Sequence, residues 1–195
     1  MSKKLNLFNA AVVASALGLA APVMAGPVAD KAAEVEAAMA AGDSAAALTA
    51  ASDIMAQVWD ATPDLGIRQS LLVTEPAAGY GIYNPRPTNQ YKSGEPVYVY
   101  AEPFGFAYGS PGEGLSAIGF TVDLRVLSES GEVLAEMPAL ADLNLTSRYQ
   151  NREFQANLTY TLSGVAPGKY VLETTLHDKN SARTGTFQTT IEIVE

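Results

Sequence analysis

The chain has 195 residues, 48% of them hydrophobic and 17% charged, which suits one globular domain rather than a disordered tail or a multidomain enzyme. Twelve Lys and Arg against 21 Asp and Glu leave a net charge of -9, so the broad positive field that nucleic acid or anionic lipid requires is missing. There is no cysteine and a single histidine, His177; disulfides, thiolate catalysis, Cys-ligated zinc, iron–sulfur clusters and multi-histidine metal sites within one chain are excluded, and no metal or other cofactor is expected.

The first residues carry Lys3 and Lys4. Leu7 to Ala21 is then apolar, interrupted by Asn9 and Ser15 alone, and Val23 and Ala25 put small side chains ahead of Gly26-Pro27. A basic start, an apolar middle and a small-residue end, in that order, predict a signal peptide over residues 1–25, cleaved after Ala25. The apolar run is short for a bilayer span, and no cysteine follows it for lipid attachment. The expected product is periplasmic or secreted, with no membrane insertion after signal removal.

Residues 26–62 read as a helical hairpin. They are rich in alanine, with no proline between Pro27 and Pro63, and the break at Gly42-Asp43-Ser44 supplies a left-handed glycine to end one helix and a carboxylate to cap the next. In the second helix Leu48, Ala51, Met55 and Val58 form one apolar stripe with Trp59 beside it, and the stripe is expected to pack on the protein's own sheet.

From Pro63 the period changes to two, and residues 63–195 are read as the sandwich domain. Strands are predicted over Ile67 to Thr74 and Val97 to Ala101. The clearest alternation is Ile118, Phe120, Val122, Leu124 and Val126, followed by the turn Ser128-Glu129-Ser130-Gly131 and a partner strand at Val133, Ala135 and Met137. Further alternating runs begin at Phe154, Tyr170 and Phe187, with Pro167-Gly168 as a turn. Seven to eight strands joined by links too short for crossover helices predict a mainly β fold, an immunoglobulin-like antiparallel β-sandwich preceded by the short helical hairpin.

The stretches GYGIYNPRPTNQYKSGEPVYVYAEPFGFAYG at 79–109 and SRYQNREFQANLTYTLSGVAPGKYVLETTLHDKNSARTGTFQTTIEI at 147–193 resemble a family of exported proteobacterial proteins to which no activity is assigned. The similarity covers roughly residues 54–195. It rests on Gly-Glu-Pro ahead of the aromatic strand, Asn151-Arg152-Glu153-Phe154, and Pro167-Gly168-Lys169-Tyr170 with Asp178-Lys179 after it. The resemblance implies export and an immunoglobulin-like fold, and carries over no catalytic residue.

Two groups of residues stand out as candidate sites. The first lies in an aromatic-rich segment: Tyr98, Tyr100, Glu102, Phe104, Phe106 and Tyr108. Strand alternation puts Val97 and Val99 on one face and Tyr98 and Tyr100 on the other, so with valines in the core the tyrosines project outward. Aromatic faces beside Glu95 and Glu102 make a platform for sugar rings or a peptide strand, or else cover the sandwich edge. The second is a polar cluster, Arg148, Arg152, Glu153 and Asp178, which either fixes sheet registry through guanidinium–carboxylate pairing or binds an anionic group. His177, at a strand end, pairs with a carboxylate or a turn carbonyl.

No G-x-S-x-G elbow or Ser–His–Asp arrangement is present, and the glycines at 109, 112 and 114 precede a strand rather than a helix, so no phosphate cradle is formed. The chain is therefore expected to be a non-enzymatic binding or accessory protein contacting an envelope protein. The alternatives are a glycan or small-ligand module using the tyrosine-rich edge and a carboxylate-dependent hydrolase, which needs two carboxylates about 5–10 Å apart in a cleft.

Overall fold

Two helices come first in the computed structural model, which describes residues 26–195; the signal-peptide reading of 1–25 lies outside the described residues. They are α1 (Pro27–Ala40) and α2 (Ser44–Ala61), and eight strands follow: β1 (Gly66–Val73), β2 (Gln90–Lys92), β3 (Pro96–Phe104), β4 (Ser116–Ser128), β5 (Val133–Ser147), β6 (Ala156–Thr161), β7 (Gly168–Asp178) and β8 (Thr184–Val194). The chain divides into two compact units between Ala51 and Ser52, within α2.

In the first unit Pro27 opens α1, where its missing N–H costs nothing. Gly42, at φ +74°, makes the turn between the helices. Asp43 Oδ1 accepts the Ala46 N–H at 3.0 Å, capping α2 as its position predicts. The apolar stripe requires a correction: Leu48, Met55 and Val58 are 73, 51 and 51% exposed. Within the second unit Trp59 is the side chain of α2 that is buried, and Val58, about 100° round from it at 3.6 residues per turn, is turned aside.

The second unit holds two sheets, ordered β1-β3-β6 and β2-β8-β7-β4-β5. Strand alternation sends Val97, Val99 and Ala101 of β3 and Ala156, Leu158 and Tyr160 of β6 into one core with Phe120, Val122 and Leu124 of β4 and Leu172 and Leu176 of β7. This is a β-sandwich in the coarse sense, with one shared apolar interior. The Tyr160 hydroxyl meets the Thr174 hydroxyl at 2.8 Å across it, and burial pushes the Tyr160 phenol up to about 12. Trp59 belongs to the same core: its indole N–H donates to Phe106 O at 2.7 Å and its ring stands edge-on to Phe106 at 5.0 Å. Arg183 Nη2 donates to Asp60 O at 2.9 Å, satisfying a carbonyl in the last turn of α2.

Two strand features depart from the sequence reading. The pairing is antiparallel throughout except that β2 runs parallel to β8, from Gln90 opposite Glu192 to Lys92 opposite Val194. These strands are remote in sequence, so no short turn dictates their direction. The second departure is β5, which continues past Met137 to Ser147 over 15 residues. Pro138 suggests an end there, but the strand absorbs it in an irregularity between the pairs Val122–Ala141 and Leu124–Met137, with Ala139 at φ +51°. Asp123 Oδ1 accepts the Ala139 N–H at 2.8 Å. Asp123 Oδ2 lies 2.8 Å from His177 Nε2, so the lone histidine does find a carboxylate. The Ala139 N–H first, and then His177, hold the Asp123 carboxyl below its ordinary pKa.

Candidate functional site

The outer face of the three-stranded sheet is where the aromatic segment is put to use. Tyr98, Tyr100 and Glu102 share that face, as alternation predicts, but the expectation that both tyrosines reach solvent is corrected: Tyr100 is wholly buried. The segment after β1 folds back over it. Tyr100 forms a second small apolar cluster with Val73 and Ala77, flanked by Leu71, Tyr83 and the half-buried Tyr98. The Tyr83 ring lies 4.4 Å from that of Tyr100. Asn157 fastens this cover, accepting the Ala77 N–H and donating to Ala77 O, both at 2.9 Å.

The buried polar groups beneath the cover are satisfied by one another. The Tyr100 hydroxyl donates to Glu102 Oε1 at 2.7 Å and accepts the Gly81 N–H at 2.7 Å. Burial, reinforced by Glu102, pushes the Tyr100 phenol up to about 12. Arg68 Nη1 donates to the Tyr80 hydroxyl at 2.7 Å. Tyr80 is also raised, by burial first and then by Glu102. Both phenols therefore remain protonated at neutral pH, which suits a fixed hydrogen-bonding wall and not a phenolate nucleophile.

The remaining residues of the proposed platform are dispersed. Phe106 is fully buried in the main core, edge-on to Phe120 at 5.8 Å as well as to Trp59. Phe104, at 36% exposure, packs against its cross-strand partner Gly66, where any Cβ would strike the ring. Tyr108 is half-buried, and its hydroxyl donates to Asn151 O at 2.9 Å. These six residues thus form no continuous exposed aromatic surface, because the covering segment and the core claim Tyr100 and Phe106.

The polar cluster is also split. Asp178 is buried and organises a turn: its carboxylate accepts the Ala107 N–H at 2.8 Å, the Asn180 N–H at 2.9 Å and the Ser181 hydroxyl at 2.6 Å. Arg148, Arg152 and Glu153 share the link between β5 and β6. Arg148 and Glu153 are exposed. Arg152 Nη2 donates to Ser52 O at 3.3 Å.

Two clefts meet at Glu153. One, of about 490 Å³, runs between Asp142 to Leu145 of β5 and Glu153, Phe154, Gln155 and Asn157 at the entrance to β6. The other, of about 520 Å³, is bounded by Tyr80, Gln150, Asn151, Arg152 and Glu153. In the first, Lys179 Nζ lies 2.7 Å from Asp142 Oδ1, and this ion pair holds the Asp142 carboxyl below its ordinary range. A glycosidase acid needs the opposite shift. Tyr80, Gln150, Asn151 and Arg68 are not marked as site residues by the sequence: Tyr80 belongs to the aromatic-rich segment, Gln150 and Asn151 to the Asn-Arg-Glu-Phe motif and its lead-in, and Arg68 carries no signal.

No family model and no curated protein matches the chain. Among solved structures it is similar to Spo0M, a sporulation control protein from Bacillus subtilis, at a TM-score of 0.34 and 14% identity, over 69% of this chain and 51% of that one. The chain therefore spans about half the length of that protein. At so low a TM-score the fold is read from the strand pairing itself.

Proposed function

We propose that this chain is an exported, non-enzymatic accessory protein that holds an extended segment of an envelope protein by adding it as a strand to β5. The observation that carries this reading is the sheet edge. β5 ends the five-stranded order, its outer side pairs with no other strand among the described residues, and the cleft of about 490 Å³ runs beside its second half. Strand addition supplies main-chain hydrogen bonds for affinity and a groove for alternate side chains. Past Pro138 the edge carries one charge, Asp142, which Lys179 pairs at 2.7 Å, so main-chain pairing and not charge selects the captured segment.

Two features support the finer, immunoglobulin-like reading of the sandwich. The chain passes between sheets from β3 to β4 and again from β6 to β7. The Tyr170 hydroxyl, near the start of β7, donates back to Ala166 O at 2.8 Å, the tyrosine-corner arrangement of such domains. The export reading is supported by the order of residues 1–25 and by the resemblance to exported proteobacterial proteins.

The test is a photo-crosslinking side chain placed at Asn144 on β5, with Thr190 on the exposed face of β8 as control, in intact cells. The expected result is one envelope protein joined through position 144, at an extended segment, and absent from position 190. Equal labelling at both positions, or none at 144, refutes strand capture.

A further inference from the structure

We propose that the cleft bounded by Tyr80 and the Gln150 to Glu153 loop binds a neutral saccharide. Its volume of about 520 Å³ lies within the roughly 300–1,000 Å³ range of small-molecule sites. Its boundary is a phenol, two primary amides, a guanidinium and a carboxylate. These planar groups each present more than one donor or acceptor, the pattern that adjacent sugar hydroxyls satisfy in pairs. Arg152 and Glu153 contribute opposite charges to the same cleft, so neither an anion nor a cation is favoured over an uncharged polyol.

The same loop carries Tyr149, 78% exposed. Tyr149 immediately precedes the cleft-lining residues 150–153 in sequence, and an exposed aromatic ring is the kind of surface that the C–H face of a pyranose covers. The boundary is also fixed in advance. Tyr108 donates to Asn151 O, the Asn151 N–H donates to Tyr149 O at 3.0 Å, and Asn151 Nδ2 donates to Ser147 Oγ at 3.2 Å. On the opposite side Arg68 and Glu102 hold Tyr80. Preorganisation of this kind lowers the ordering cost of binding. Tyr108 is then a positioning residue for the loop, not a contact.

The inference stands apart from strand capture and is read by a different measurement. Protein expressed from the full sequence and purified is titrated with maltotriose, cellotriose, mannotriose and chitotriose while backbone amide shifts are followed by NMR. The expected result is saturable binding to one of them at millimolar strength or tighter, with the largest shifts at Tyr80 and 149–153. Tyr149→Ala should weaken it at least tenfold with an unchanged Tm, and Gln150→Ala should weaken it as well. Tyr149→Phe should retain it. No saturable shift with any of the four up to about 10 mM, shifts centred elsewhere, or affinity indifferent to both alanine substitutions overturns the proposal.

Discussion

Replacing Tyr100 by Phe separates a tyrosine that holds the sheet cover from one that faces a ligand. The ring and its packing on Val73, Ala77 and Tyr83 are kept, so no cavity opens. What is lost is the hydroxyl, with its bond to Glu102 and its bond from Gly81. A bond to a charged acceptor is worth about 1.5–3 kcal/mol and one between neutral groups about 0.5–1.5. Gly81 lies at the surface and regains water, so its share falls at the low end. The expected loss is about 2–4 kcal/mol at pH 7, measured by urea unfolding.

The pH dependence sharpens the test. The unfolded tyrosine ionises near 10 while the folded one stays protonated to about 12. The stabilisation is therefore complete below pH 10 and is lost as pH rises toward 12, at about 1.4 kcal/mol per unit. Tyr100→Phe lacks this loss, so the gap between the two proteins should narrow above pH 10. A Tyr100→Phe protein within about 0.5 kcal/mol of its parent, with a gap that does not change with pH, means that the hydroxyl is in water and that the reasoning for a buried network is wrong.

Two further outcomes follow from the same contacts. Trp59 should emit as a buried indole and shift to the red in urea at the same midpoint as the loss of β circular dichroism, and Trp59→Ala should cost about 3–5 kcal/mol; emission typical of water in the native protein contradicts its place against Phe106. Asp123→Ala should cost about 0.5–1.5 kcal/mol at pH 7, because the exposed Ala139 N–H it frees regains water. Because the Asp123 carboxyl is held below its unfolded value near 3.9, its contribution is present above that value and lost as pH falls through the folded one. The difference between parent and variant should therefore shrink in urea unfolding at pH 3, and a constant difference contradicts the Ala139 and His177 pairing.

Much of the sandwich was legible because a half-buried strand writes its burial into the sequence with period two. Phe120, Val122 and Leu124 alternate with Thr121 and Asp123, and the structure buries the first set. Three things were not legible for physical reasons. β2 has three residues, too few for any period to register. The second half of β5 was hidden by Pro138, which ends strands unless a bulge accommodates it, and whether one does depends on Asp123, which is remote in sequence. Tyr100 was placed on the correct face but given the wrong environment. Alternation tells which face a residue is on, not what another segment lays over it, and the cover depends on Asn157 grasping Ala77 across 80 residues.

The two halves of β5 manage an exposed edge differently. Before the bulge the strand presents Val133 and Leu134, 39 and 50% exposed, a hazard for unwanted pairing. That half is guarded by Pro138, by the kink at Ala139, and by Glu136, which Arg125 holds at 3.2 Å. Past the bulge, Leu143 and Leu145 turn toward the core and Asp142, Asn144 and Thr146 turn outward. This half has neither proline nor bulge, and its one charge is neutralised by Lys179. An edge that is blocked where it is greasy and left regular where it is polar accepts a strand without inviting aggregation, because main-chain bonds are offered only where no apolar surface drives indiscriminate pairing. The cleft lies beside that second half, between β5 and the start of β6, so an added strand would find side-chain room where the ladder is open. This coincidence favours capture at 141–147, beyond the exposed Leu140, over capture at 133–137, and it is why the crosslinking probe belongs at Asn144.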